Sequence, residues 1–196
     1  MMKKEYTLTI YTENHIGLIT KISILFARRK INIESLNTSP SEIKNIYRFT
    51  LVILETEEKI KNLARQLEKL IDVLKVYYNT NEEIIWQQMA LYKVPTSITM
   101  KEVKVERLLR EYGARAIVIR EDYTVFETTG QQEEIEKLLK KLKEYQLIEF
   151  VRSSRIAIIK ASEGIHKKVL DIEKNDPSKL LSRIDFTHRE KITFEL

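Results

Sequence analysis

The sequence has no cysteine, which excludes a disulfide framework, a thiolate nucleophile and a thiolate metal site. With only 4 glycines and 3 prolines in 196 residues, it carries neither Gly-x-Gly-x-x-Gly nor Gly-x-x-x-x-Gly-Lys-[Ser/Thr]. A backbone cradle for a nucleotide phosphate therefore has no basis here. The histidines, His15, His166 and His188, lie too far apart for metal-ligand spacing, so no metal is expected. No nucleophile stands beside a base, and Glu127 in the alternating stretch Tyr123-Thr124-Val125-Phe126-Glu127 has no acid/base partner; the expected catalytic set is empty. No apolar run is long enough to cross a bilayer. Met1-Met2-Lys3-Lys4-Glu5-Tyr6 is followed by neither a long apolar core nor a small-residue cleavage site, so cytoplasmic residence and no membrane partner are expected.

What is present reads as a globular chain. A mass of 23.3 kDa, 43% hydrophobic residues and a mean hydropathy of -0.31 allow a sizeable core, in one domain or in two of roughly 80 residues. The net charge of +5 is unevenly spread: residues 1–79 hold 13 Lys+Arg against 9 Asp+Glu, residues 80–162 hold 14 against 13, and residues 163–196 hold 7 against 7. Arg28-Arg29-Lys30 is the densest basic cluster. It follows an amphipathic stretch, where cations favour a helix C-terminus, and it is not the broad basic and aromatic face that a nucleic acid needs. No nucleic-acid partner is expected.

Periodicity supplies an element order that occurs twice. Strand 5–12, helix 16–29, strands 31–39 and 45–54, helix 57–70 and strand 72–79 form one βαββαβ unit. After a boundary at Asn79-Thr80-Asn81-Glu82-Glu83 come strand 88–95, helix 99–112, strands 114–120 and 123–129, helix 131–144 and strand 146–153, with a short extra strand over 155–160. The fold class expected is α+β: two tandem ferredoxin-like βαββαβ domains, each a four-stranded antiparallel sheet carrying two helices on one face. The open sheet face of the first unit calls for a partner, in a dimer or between domains.

One turn stands out. Tyr6, Leu8 and Ile10 alternate as a strand does, and from Ile16 the apolar period changes to that of a helix through Ile19, Ile22 and Phe26, with Gly17 at the change. A glycine at a helix start lets a ligand or second chain approach backbone amides that favour a carboxylate. Asn14 can cap that helix, and Asn32, at the entrance to the next strand, offers both a donor and an acceptor. Together they can hold the charged ends of an amino acid. On the residues alone, an N-cap role for Asn14 and a turn role for Asn32 are favoured over ligand binding, since asparagine is common in both for local reasons.

The Asn14-x-x-Gly17 turn, the Asn32-Ile33-Glu34-Ser35-Leu36 run, Asp72-Val73-Leu74 and Ala90-Leu91-Tyr92-Lys93-Val94 resemble the regulatory (small) subunit of acetolactate synthase, over residues 5–160. The resemblance implies an ACT domain at 1–80 that binds effector and dimerises, a ferredoxin-like domain at 84–162, and a non-catalytic role: activating the large subunit and conferring feedback by valine or a related branched-chain amino acid. It places Asn14, Gly17, Leu18, Ile19, Asn32 and Ile33 at an effector site between two ACT domains. No cofactor is expected in this chain; thiamine diphosphate, magnesium and flavin (FAD) would belong to the catalytic partner. Lys30 stands where the family has a glycine, which bears on the helix exit and on ligand preference. Residues 163–196 exceed the usual family terminus, and Leu180, Leu181, Ile184 and Phe186 fit a docking tail or a structural cap equally. Two other classes share the architecture: a general ACT-like amino-acid sensor and a ferredoxin-like RNA-binding protein.

Overall fold

Alternating apolar residues in Tyr6, Leu8 and Ile10 put one face of the first strand in the core, and all three are buried. This strand, β1 (Lys4–Glu13), leads a unit whose order is α1 (Leu18–Arg28), β2 (Ser35–Pro40), β3 (Ile46–Glu55), α2 (Glu57–Leu67) and β4 (Val73–Asn79). The computed structural model describes residues 2–164 and Lys167. The sheet order is β2-β3-β1-β4. β1 is central and antiparallel to both neighbours, with Leu8 opposite Leu51 of β3 and Tyr78 of β4. α1 buries Leu18, Ile22 and Phe26, and α2 buries Ile60, Leu63 and Leu67, each set at helical spacing. Glu57 and Glu58 in the first turn of α2 complement its dipole.

A short 3-10 turn over Asn81–Glu83 ends this unit, and Ile84–Ile158 form the body of a second compact unit. The second unit is β5 (Ile84–Pro95), α3 (Thr96–Lys101), α4 (Val103–Glu111), β6 (Arg115–Ile119), β7 (Tyr123–Gly130), α5 (Gln132–Lys143), β8 (Glu149–Arg152) and β9 (Ile156–Ile159). Its sheet runs β6-β7-β5-β8, with β9 also pairing β5. Ala90, Tyr92, Val105, Leu108, Leu109, Ile135, Leu138 and Leu142 form its core. The Tyr92 hydroxyl donates to the Ile135 carbonyl at 2.8 Å, and burial pushes the phenol up to about 12. At the start of α5 the Gln131 amide donates to Glu134 Oε2 at 2.9 Å. A Cβ on Gly130 would lie 2.7 Å from that oxygen, so glycine makes room for the cap.

The α+β class and the doubled βαββαβ order agree with the sequence expectation. Three elements differ, the first being β2, which begins at Ser35 instead of residue 31. The helix expected over 99–112 is broken at Glu102, whose backbone is extended (φ -104°, ψ 93°). Thr96, bonded to the Arg120 carbonyl and the Thr124 hydroxyl, pins the first segment, and the restart at Val103 lets Val105, Leu108 and Leu109 reach the core. The strand expected from 88 begins at Ile84, because β9 gives β5 a further partner. The expectations for the extension at 163–196, including Leu180, Leu181, Ile184, Phe186, His166 and His188, fall outside the described residues, apart from Glu163, Gly164 and Lys167.

Candidate functional site

β1 delivers the chain into a tight turn, and Gly17 closes it. Gly17 is the N-cap of α1 and lies in the left-handed region at φ 82°, ψ 2°, a conformation that costs a side-chain-bearing residue roughly 1–2 kcal/mol. Nothing lies within 4 Å of where its Cβ would stand. The Leu18 amide donates to the His15 carbonyl at 3.3 Å, no side chain caps the helix, and its first turn contains no acidic residue. The helix start thus keeps its partial positive charge at an exposed place.

The turn is tied to the rest of the unit by a cluster around Asp72. Its carboxylate, 6% exposed, meets His15 Nδ1 at 2.7 Å through one oxygen and Lys21 Nζ at 2.7 Å through the other. The Lys21 hydrogen bond first, then that of His15, hold the carboxyl below its ordinary range against the opposing effect of burial. The Glu13 amide donates to the Asp72 carbonyl at 2.9 Å, and the Asn14 amide to the Asn45 carbonyl at 3.0 Å. Ligand atoms of Glu13, His15 and Asp72 lie within 4.8 Å of one another, a spacing open to a cation. Lys21 already brings an ammonium to that carboxylate.

The residues picked out by sequence take distinct places. Asn14 is exposed and is not the N-cap; the chain needs three more residues to turn, so Gly17 takes that position, and the capping role expected for Asn14 is corrected accordingly. Leu18 is buried in the core, Ile19 is 44% exposed, and Ile33 is half-buried. Asn32 precedes β2 by three residues rather than opening it, and its Nδ2 donates to Glu34 Oε1 at 2.8 Å. Lys30 adopts φ 53°, with its amide bonded to the Ala27 carbonyl at 3.0 Å and the Ile31 amide to the Phe26 carbonyl at 3.1 Å. That is a Schellman helix end with lysine at the left-handed position, which explains why a glycine suits it. Sequence reasoning missed Asp72 as the partner of His15 and Lys21. Separations of 57 and 51 residues gave no local signal.

The doubled βαββαβ order, with an antiparallel sheet in each unit, defines a pair of ferredoxin-like domains. The profile described as "AHAS small subunit-like ACT domain" matches residues 8–75, and that described as "Small subunit of acetolactate synthase" matches residues 87–161. The acetolactate synthase small subunit of Bacillus subtilis (strain 168) is 32% identical over 163 residues, 83% of this chain and 93% of its own length. That of Mycolicibacterium smegmatis is 28% identical over 82% of this chain and 94% of its own. In fold, the crystal structure of the acetolactate synthase small subunit from Thermotoga maritima is similar with a TM-score of 0.73, at 24% identity, covering 81% of this chain and 99% of that one. The chain belongs to the acetolactate synthase small-subunit family, whose members are regulatory, non-catalytic subunits.

Proposed function

We propose that this chain activates the acetolactate synthase large subunit and makes it answer to valine or a related branched-chain amino acid, bound at the α1 turn. The observation that carries the reading is the left-handed Gly17 at a helix start with no acidic residue in its first turn and open space where a Cβ would stand. The amino-acid carboxylate meets the backbone amides after Gly17, with Asn14 beside it. Asn32 and nearby carbonyls receive the ammonium. Ile19 and Ile33 set the side-chain volume, and Leu18 supports them from the core.

The site lies between the ACT units of a homodimer, so that effector binding favours one arrangement of the pair and thereby changes how the catalytic chain is engaged. The ACT unit comprises residues 1–80 and the ferredoxin-like unit residues 84–162, and full activation draws on the second. Thiamine diphosphate, magnesium and flavin act in the large subunit, in the cytoplasm. No helix among the described residues is long and apolar enough to cross a membrane.

Reconstitution with the cognate large subunit tests the reading. Turnover of pyruvate to acetolactate should rise on adding this chain and fall again with valine. Absence of any stimulation would overturn it.

A further inference from the structure

The basic cluster at the end of α1 does not stand alone on that helix. Leu25, Arg28 and Arg29, the following Ile31, and Lys59 and Gln66 of α2 line one concavity of about 440 Å³. Its apolar lining is Leu25 and Ile31, its polar lining is two guanidinium groups, an ammonium and one amide, and no acidic residue faces it. The Arg29 Nε donates to Gln66 Oε1 at 2.6 Å, which fixes the guanidinium between the two helices. Arg28 is exposed, and among the described residues its side chain meets no carboxylate.

The helix dipole accounts for only part of this. Arg28 in the last turn of α1 is favoured by that helix's negative end. Lys59 is in the first turn of α2, where a cation opposes the dipole, and it is held there by Glu55 at 3.2 Å, a carboxylate it shares with Lys3 at 3.1 Å. The groove therefore keeps a net positive charge over an apolar floor. Arginine at the rim of an apolar depression is the chemistry of a protein–protein anchor, and the guanidinium fork takes a carboxylate through two parallel bonds.

We infer that the groove between α1 and α2 is a docking site for the catalytic subunit, taking an acidic segment whose carboxylates pair with Arg28, Arg29 and Lys59 and whose apolar side chain rests on Leu25 and Ile31. The inference builds on the reading of this chain as an activator of that subunit. It separates two surfaces of one unit: the α1 start receives the effector, and the α1 end, with α2, receives the partner.

The test is a titration of the large subunit with full-length chain, scored by acetolactate formation at two salt concentrations, beside calorimetry of valine on the free chain. Arg28→Glu should raise the half-saturating concentration about tenfold or more at low salt, a shift that corresponds to about 1.4 kcal/mol, and should lower its salt dependence. Arg28→Lys should recover most of the loss. Lys61→Glu, the same charge change on an exposed α2 lysine outside the groove, should move it no more than about twofold. Valine affinity should not change in any of the three, and Arg28→Glu should lower the melting temperature by no more than a few degrees, through the helix dipole it opposes. Equal shifts in Arg28→Glu and Lys61→Glu, or an unchanged curve in Arg28→Glu, would overturn the groove while leaving the activator reading in place. A wild-type chain that does not stimulate the large subunit would remove both.

Discussion

His15 Nδ1 lies 2.7 Å from Asp72 Oδ1, joining the turn after β1 to the residue before β4 across 57 positions of sequence. Lys21 Nζ meets the other oxygen of the same carboxylate at 2.7 Å, so one buried anion fixes both the turn and the first helical turns of α1. The turn is thereby held from behind, while its outer side, at Gly17, stays open.

Asp72 should give the protein an acid-sensitive stability. Its carboxyl is lowered in the folded state, first by Lys21 and then by His15, so its contribution is complete above the ordinary carboxylate value and is lost as pH falls through the lowered one. Asp72→Asn should be less stable than wild type by about 1–3 kcal/mol near neutrality, and the difference should shrink toward acid. Urea melts across a pH series check this; a gap independent of pH would assign the loss to packing.

Gly17 makes a backbone demand that is independent of any ligand. Gly17→Ala should cost about 1–2 kcal/mol through its left-handed φ of 82°, since no neighbour obstructs the added methyl. Gly17→Asp adds a negative charge where the amino-acid carboxylate is proposed to sit, so valine affinity should drop further in Asp than in Ala. Calorimetry separates the two, and equal affinities would place the ligand elsewhere.

Asn32→Ala should weaken valine binding by about tenfold, and less than Gly17→Asp does, because it removes a polar partner without adding a repulsive one. Subunit activation without valine should stay near wild type. A calorimetric affinity equal to wild type would remove Asn32 from the site.

Lys30→Gly should stabilise the chain. Lysine at φ 53° occupies the left-handed position of a helix end that glycine adopts at no steric cost, and relief of that strain, less the entropy glycine loses on folding, leaves about 0.5–1 kcal/mol. A rise in melting temperature of a few degrees measures it. If valine affinity also changes, the helix exit is coupled to the proposed effector turn.

Division of labour gives the simplest expectation. The purified chain should form no acetolactate from pyruvate by itself and should raise turnover when mixed with the large subunit. Acetolactate production by the chain alone, free of contaminating enzyme, would contradict a regulatory role.

Much of the fold was legible because its signals are local. The alternation in Tyr6, Leu8 and Ile10 and the helical spacing of Ile60, Leu63 and Leu67 each arise within a few residues, and burial enforces both. The break at Glu102 was not legible, since it depends on Thr96 being anchored to Arg120 and Thr124, residues more than 20 positions away. The same holds for the turn: its glycine was visible, whereas the identity of the cap was not, because the number of residues needed to leave β1 depends on the backbone bonds of Glu13 to Asp72 and of Asn14 to Asn45.

By itself the sequence determined the α+β class, the doubled βαββαβ order, the absence of any thiol, and, through motifs such as Asn32-Ile33-Glu34-Ser35-Leu36, the family. Only the tertiary structure decided that Asp72 holds His15 and Lys21, and that Arg28 and Arg29 share a groove with Lys59. The reason is physical: periodicity and turn chemistry act between neighbours in the chain, whereas a charge acts on whatever the fold brings within a few ångströms, and that is set by the packing of β1, β4, α1 and α2 together.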